Sequence, residues 1–190
     1  LVNRPANAKV FEVLGNFREE NVQVALLGVL DQLGNDEALA ILKHEAAAES
    51  LSIMHGLVRQ GVATRPGAME LITALRTAGM RLGLASNSPR FLVNDALAGA
   101  GLADAFDATV SSDDVARPKP APDVYVEACR RLGVEPAHAL ALEDSWSGVA
   151  AARAAGLTCY AVPQLPETDV SAADRVLGSL WDLVADAPVR

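Results

Sequence analysis

After residue 64 the sequence alternates between short apolar runs and segments that carry the punctuation of helices. Four runs have the length and composition of buried strands: Met80–Ala85, Asp107–Ser111, Ala139–Leu142 and Thr158–Val162. Proline and glycine residues mark the ends of the segments between them. Strands that alternate with helices indicate βαβ units, and right-handed crossovers place such strands parallel in one sheet. We therefore predict an α/β fold with a parallel sheet core.

The first sixty residues show a different pattern, the three- and four-residue apolar spacing of amphipathic helices. One stripe, which includes Val22, Leu26 and Leu33, predicts a helix from about Glu19 to Leu33. A second stripe runs from Leu39 to Leu57. On this pattern residues 1–63 form a helical region, and residues 64–190 form the α/β core.

Length and charge limit the class of protein. A chain of 190 residues with 51% hydrophobic residues can bury one core, with room for a smaller insertion. The formal net charge of -8 opposes binding to nucleic acid or to an anionic membrane. Cys129 and Cys159 fit neither a disulfide framework nor metal-ligand spacing, and no signal peptide or membrane-spanning run is evident. We expect a cytoplasmic protein whose partner is a small metabolite.

Polar residues follow three of the predicted strands, where an open parallel sheet has its ligand crevice. They are Ser86-Asn87-Ser88, the loop 113–123 with Lys119, and Glu143-Asp144. Two adjacent carboxylates repel each other unless a cation or hydrogen-bond donors neutralise them, and Mg²⁺, a hard ion with oxygen ligands, meets that need. Solvated loop residues or a helix cap would give the same acidic pair.

Prolines on both sides of Lys119 stiffen its backbone and would hold an ammonium group at a fixed place, where it could offset the charge of a phosphoryl group. The hydroxyl of Ser86 and the backbone N–H of Asn87 could form a small nest of donors for an anionic oxygen. An exposed turn lysine, and an ordinary turn before Pro89, are the alternatives. No G-x-S-x-G motif supports a serine hydrolase.

In order and spacing these segments resemble the haloacid dehalogenase-like superfamily, in particular the helical-cap group that includes phosphoglycolate phosphatases and β-phosphoglucomutases. Three of its motifs match Leu84-Ala85-Ser86-Asn87-Ser88, Lys119-Pro120-Ala121-Pro122-Asp123 and Leu142-Glu143-Asp144-Ser145. The resemblance implies a Rossmann-like parallel sheet core with an inserted helical cap. It also implies that Ser86 and the Asn87 backbone bind the phosphoryl group, that Lys119 steadies it, and that Glu143 and Asp144 hold Mg²⁺.

The function that this resemblance implies is Mg²⁺-dependent hydrolysis of a small phosphorylated metabolite, a phosphomonoester, through an aspartyl-phosphate intermediate. A sugar-phosphate mutase shares all three motifs. A haloacid dehalogenase needs no metal, so the pair Glu143-Asp144 argues against it. A non-catalytic protein that binds phosphorylated metabolites is the alternative from another class. The substrate and the oligomeric state are not readable from the sequence.

The resemblance further implies an Asp-x-Asp-Gly motif on a first strand at the sheet centre, and the sequence contains no such motif. We expect that strand upstream of Leu1, in a segment of roughly 15–25 residues, and we expect the chain alone to lack phosphatase activity. The strands that end at Ala85 and Leu142 should then flank a vacant slot, or be bridged by chain outside this numbering.

Overall fold

The computed structural model describes residues 24–27, 55–56, 58, 64–163, 165 and 167–184. Six strands are described: β1 (Val24–Leu27), β2 (Arg81–Ala85), β3 (Ala108–Val110), β4 (Ala139–Glu143), β5 (Thr158–Ala161) and β6 (Arg175–Val176). They form one sheet in the order β3-β2-β1-β4-β5-β6, and all five neighbouring pairs are parallel. The predicted α/β fold with a parallel sheet is therefore confirmed.

The four predicted strands agree with β2, β3, β4 and β5 to within one residue at each end. Strand β6 was not predicted, because two residues, both of them exposed, leave no apolar pattern to detect.

The sheet position between β2 and β4 is occupied by β1, a segment of this chain. Leu27 lies opposite Leu84 on one side and Leu142 on the other. The predicted helix from Glu19 to Leu33 is thus wrong at residues 24–27, and its other residues lie outside the described part. The vacant slot, and a bridge by chain outside the numbering, are wrong as well. A short apolar run fits a strand or a helix, and a central position favours the strand because it pairs backbone groups on both sides.

Five α-helices follow: α1 (Ala68–Thr77), α2 (Arg90–Gly99), α3 (Asp123–Leu132), α4 (Trp146–Ala154) and α5 (Trp181–Val184). Two short 3₁₀ turns, Ser112–Asp114 and Pro136–His138, lie in the connections. Helix α3 begins after Pro122 and ends at Gly133, whose φ of 68° is the left-handed conformation that glycine adopts most readily. The predicted punctuation of the helices is confirmed there.

The two faces of the sheet differ in side-chain size. Leu82, Leu84, Leu140 and Leu142 belong to a core cluster shared with α1 and α2. Because side chains alternate along a strand, the small residues between them face the opposite side, in a cluster shared with α3 and α4. Small side chains on this second face, which we call the alanine face, let α3 and α4 approach the sheet closely.

Little of the predicted helical cap falls within the described residues. His55 and Gly56 are helical, and Val58 packs against Leu92 and Ala96 of α2. The remaining cap residues lie outside the described part, so the division of the chain after residue 63 stays a prediction. Cys129 and Cys159 are both buried and form no disulfide. Across the described ranges, no helix combines the length and the apolar character needed to cross a membrane.

Candidate active site

The predicted site residues converge at the carboxyl ends of β2 and β4. Ser86 directly follows β2, Glu143 ends β4, and Asp144 is the next residue. Lys119 reaches the same place from the loop that precedes α3, and its ammonium Nζ lies 2.8 Å from Glu143 Oε1. Four side chains from three segments that are far apart in sequence therefore lie at one edge of the sheet, as the strand-end argument predicted.

Lys119 and Glu143 form a buried ion pair. Their side chains are 1% and 0% exposed. The Lys119 ammonium also donates to the carbonyl oxygen of Ala85, at 2.9 Å, so it is tied to the end of β2 as well as to β4. An exposed turn lysine, the alternative interpretation of Lys119, is thereby excluded. Buried charges require a partner of opposite sign, and each residue supplies the other's.

Two helices on the alanine face complete the surroundings of Glu143. The hydroxyl of Tyr125, in α3, donates to Oε1, the oxygen that also accepts from Lys119. On the other side, the hydroxyl of Ser145 lies 3.5 Å from Oε2 and caps α4 by accepting from the N–H of Gly148. The orientation of this carboxylate is therefore fixed by contacts at both of its oxygens.

The backbone of Lys119 is held by the side chain of Asn87. Its N–H donates to Asn87 Oδ1 at 2.8 Å, and its carbonyl accepts from Asn87 Nδ2 at 3.3 Å. In the same loop, Arg117 makes a two-pronged ion pair with Asp123, the first residue of α3. Asn87 was predicted to bind phosphate through its backbone N–H, which stays a prediction. Its side chain has a different role, because it fixes the position of the lysine loop.

Ser86 is 2% exposed and lies where the sheet meets the site. Its backbone N–H continues the pairing with β3 by donating to the carbonyl of Val110, and its hydroxyl accepts from the N–H of Ser88 at 3.0 Å. A hydroxyl has one donor and two acceptor positions, so this bond uses one of the acceptors. The predicted contact of the Ser86 hydroxyl with a phosphoryl oxygen stays a prediction.

Asp144 has an arginine close to its carboxylate. Nη1 of Arg65 lies 3.8 Å from Asp144 Oδ2, and the same nitrogen donates to the carbonyl of Val162, just after β5, at 2.6 Å. Asp144 is 1% exposed. The two acidic residues at the end of β4 therefore have two cations beside them, Lys119 at Glu143 and Arg65 at Asp144.

The donor set at the end of β4 fits Mg²⁺. Within the described part of the chain, no group of three or more His, Cys, Asp or Glu side chains could hold a metal ion. Mg²⁺ does not require one, because it is usually held by one or two carboxylates together with water and substrate phosphate oxygens. Glu143 and Asp144 offer two adjacent carboxylates of this kind. That they bind the ion stays a prediction.

Cys159 in β5 is buried and is not a reactive thiol. Burial, and after it the charge of Glu143, raises the pKa of Cys159 to about 12. A thiol that stays protonated at neutral pH is a poor nucleophile and a poor metal ligand. This agrees with the sequence, in which neither cysteine has metal-ligand spacing.

Comparison with known proteins decides the family. A family model of haloacid dehalogenase-like hydrolases matches residues 4–156. The chain belongs to this family. Protein CbbY of Rhodobacter capsulatus is 44% identical over 115 residues, which are 57% of this chain and 50% of that protein. The bifunctional riboflavin kinase/FMN phosphatase of Arabidopsis thaliana is 41% identical over 121 residues, 62% of this chain and 32% of that protein. The chain thus spans at most half the length of these two relatives.

A solved structure shows the same architecture. The crystal structure of CbbY from Rhodobacter sphaeroides in complex with xylulose-(1,5)bisphosphate matches with a TM-score of 0.67 and 30% identity, over 97% of this chain and 90% of that chain. The Rossmann-like α/β fold that the sequence predicted is therefore confirmed, as is the resemblance to the haloacid dehalogenase-like superfamily.

Three residues of the site had no role assigned from the sequence: Arg65, Tyr125 and Gly148. A glycine inside a helical pattern signals a close approach by another group, and Gly148 lies in such a pattern. The aromatic residue in the first turn of α3, so soon after Lys119, was a second available signal. Arg65 left no signal, because its contacts are with Val162 and Asp144, which lie about eighty or more residues further along the chain.

Proposed function

We propose that this protein is a Mg²⁺-dependent phosphatase that hydrolyses a small phosphorylated metabolite. The observation that carries the proposal is the buried contact of 2.8 Å between Lys119 Nζ and Glu143 Oε1, beside Asp144, in a chain of the haloacid dehalogenase-like hydrolase family. A cation fixed at the end of a parallel strand is placed to stabilise negative charge on a transferring phosphoryl group.

The residues at the strand ends divide the work of binding. Ser86 and the backbone N–H of Asn87 would donate to phosphoryl oxygens, and Lys119 would offset their charge as the bond to phosphorus breaks. Glu143 and Asp144 would hold Mg²⁺, which when bound supplies further positive charge for the phosphoryl oxygens. Arg65 would balance the charge of Asp144 from the other side.

An aspartyl-phosphate mechanism also needs a carboxylate nucleophile. Its oxygen would attack phosphorus as the bond from phosphorus to the substrate oxygen breaks, and a general acid would protonate the leaving alcohol. Water, giving a proton back to that group, would then release orthophosphate and restore the carboxylate. The four residues of β1, Val24-Ala25-Leu26-Leu27, contain no carboxylate. We therefore place the nucleophile outside the described residues. The resemblance implied an Asp-x-Asp strand at the sheet centre, and that placement is wrong because β1 occupies the position between β2 and β4.

A sugar-phosphate mutase would use the same strand-end residues, so the choice between the two reactions rests on the relatives. The Arabidopsis relative is named an FMN phosphatase, which favours water as the final acceptor. We also propose a cytoplasmic location, supported by two buried thiols that form no disulfide. A small metabolite as partner is supported by the net charge of -8.

The test is an assay of the natural gene product that contains this chain. Sugar phosphates, flavin mononucleotide and other phosphomonoesters are incubated with and without Mg²⁺, and orthophosphate is measured. We expect Mg²⁺-dependent release of orthophosphate from at least one substrate.

A second experiment tests the role of Lys119. In single-turnover measurements, Lys119→Ala should slow the chemical step by about 10²-fold, the scale of losing one preorganised electrostatic contact. Arg175→Ala, which removes an exposed cation on β6, should leave the rate unchanged.

Other outcomes separate the alternatives. An isomeric sugar phosphate as product, without orthophosphate, would establish a mutase. Binding of phosphorylated metabolites with no turnover would establish a binding protein.

A further inference from the structure

Tyr125 reaches the candidate site from α3 and contacts both members of the buried ion pair. It is 0% exposed. Its hydroxyl donates to Glu143 Oε1, and Lys119 Nζ, which lies 2.8 Å from the same oxygen, is 5.2 Å from the centroid of the tyrosine ring. One side chain thus supplies a hydrogen-bond donor to the carboxylate and a ring face to the ammonium.

Packing alone does not account for a tyrosine at this position. A phenylalanine would fill nearly the same volume, and a buried hydroxyl is costly unless it is hydrogen-bonded. The hydroxyl of Tyr125 avoids this cost because it donates a hydrogen bond to the Glu143 carboxylate. The second tyrosine of the chain, Tyr160, offers a matched comparison. It is also buried, but it belongs to the leucine-rich cluster on the other face of the sheet. The centroid of its ring lies 5.8 Å from Cζ of Arg175.

The consequence concerns how strongly Glu143 holds Lys119. A buried carboxylate oxygen with a single donor interacts with that donor alone. A second donor on the same oxygen shares its negative charge, so the attraction to the first donor is weaker. The phenol therefore weakens the hold of Glu143 on Lys119, and its ring face keeps the ammonium in place. Lys119 is then fixed in position while its charge is only partly neutralised, so it still attracts another anion.

We propose that Tyr125 is a positioning residue, which holds Glu143 and Lys119 so that the lysine remains effective toward a bound phosphoryl group. The inference rests on the proposed role of Lys119 in phosphate binding. It does not make Tyr125 a group that touches substrate, because it rests on the contacts of Tyr125 with Glu143 and Lys119.

The experiment measures the affinity of the full chain for inorganic phosphate by isothermal titration calorimetry, with and without Mg²⁺. We expect Tyr125→Phe to weaken phosphate binding by about three- to tenfold, the scale of one hydrogen bond, with its circular dichroism spectrum unchanged. Tyr160→Phe should bind phosphate as the wild type does. A general structural role would not single out Tyr125 in this way.

Two further backgrounds show whether Tyr125 acts through the ion pair. In Lys119→Met, and separately in Glu143→Gln, adding Tyr125→Phe should change phosphate affinity by less than about twofold, because the pair that it positions is already lost. Should one background fail to fold, the other still decides. An equal loss from Tyr125→Phe in every background, or no loss in the wild type, would overturn the proposal. If the wild type binds no phosphate at all, the proposed phosphate site fails first and this role falls with it.

Discussion

Gly148 lies against the carboxylate of Glu143 so closely that a Cβ built on the glycine would be 1.8 Å from Oε2 and 2.0 Å from Cδ. The glycine is in the first turn of α4, and the carboxylate is at the end of β4. Glu143 cannot simply swing away, because Lys119 and Tyr125 both donate to its other oxygen. The site therefore depends on the absence of a side chain at position 148.

We predict that Gly148→Ala lowers the free energy of unfolding by about 2–3 kcal/mol, the scale of overpacking a buried site. In an ordinary helix the same change stabilises by about 0.5–1 kcal/mol, so the sign is diagnostic. Urea unfolding measures both the size and the sign of the change in the free energy of unfolding. The control is Gly99→Ala at the exposed end of α2, which should be neutral or slightly stabilising. A Gly148→Ala protein as stable as the wild type would show that Glu143 moves freely.

The buried pair of Lys119 and Glu143 gives a second prediction. Lys119→Met leaves the buried carboxylate without its cation and should cost about 3–5 kcal/mol of stability. Adding Glu143→Gln removes the charge that was left behind, so the double variant should be more stable than Lys119→Met alone. A double-mutant cycle by denaturant unfolding measures the coupling. Additive losses in the two single variants would argue that the ion pair contributes nothing as a unit.

Asp144 provides the third prediction, which concerns the metal. If Asp144 and Glu143 hold Mg²⁺, Asp144→Asn should weaken metal binding by tenfold or more, because a neutral amide replaces one of two anionic ligands (roughly 1.4 kcal/mol per tenfold). Isothermal titration with Mg²⁺ on the natural gene product is the measurement. Asp104→Asn, which changes an exposed carboxylate in the loop between α2 and β3, should leave the affinity unchanged. Equal affinity of wild type and Asp144→Asn would remove Asp144 from the metal site.

The positions of Ser86, Lys119, Glu143 and Asp144 were predictable from the sequence, because a parallel sheet brings strand ends to one edge whatever the details of packing. The contact partners were not. Tyr125 and Gly148 meet Glu143 only because the alanine face lets two helices approach the sheet, and no local pattern records that distance. Periodicity finds which face of an element is buried, and it does not show which atom lies opposite.

The error at β1 has a related cause. Leu26 and Leu33 belong to a stripe at helical spacing, while the four residues Val24–Leu27 also form a continuous apolar run. Local preference does not separate the two conformations in so short a segment. The strand is favoured because its backbone pairs with β2 and β4 on either side. Both of these partner strands lie more than fifty residues later in the chain, so no local pattern at 24–27 reports them.

The fourth prediction is a pH dependence of stability at Asp114. Burial raises the pKa of this carboxyl, but hydrogen bonds from Ser111, Arg131 and Arg90 together outweigh it and lower the pKa well below the ordinary 3.8. A carboxyl whose pKa is lower in the folded state stabilises the fold above its unfolded pKa, and this contribution is lost as the pH falls below that value.

Asp114→Asn should therefore be less stable than the wild type at pH 7, and the difference should shrink as the pH falls through about 4 toward 3. Urea unfolding at several pH values measures it. Thr73→Ala, which shortens an exposed neutral side chain, serves as the control and should show a constant difference. A difference for Asp114→Asn that stays constant down to pH 3 would contradict the role of the ionised carboxyl.

The last prediction tests the strand at the sheet centre. Because β1 pairs with β2 and β4 together, opening its hydrogen bonds requires both neighbours to separate, and its amides should exchange with solvent only through near-global unfolding. Hydrogen exchange by NMR should therefore give Ala25 and Leu26 protection comparable with that of Leu84 and Leu142. The edge strand β6, with two exposed residues, should exchange faster.

A helix over residues 24–27 would also slow exchange at these amides, so a second observable is needed. The register places Leu26 opposite Gly83 and Ala141, and backbone NOEs between these residues are expected only for the strand. Rapid exchange at 24–27 with β2 and β4 still protected, or sequential NOEs of a helix there, would remove β1 from the sheet and reopen the central position to a strand from elsewhere.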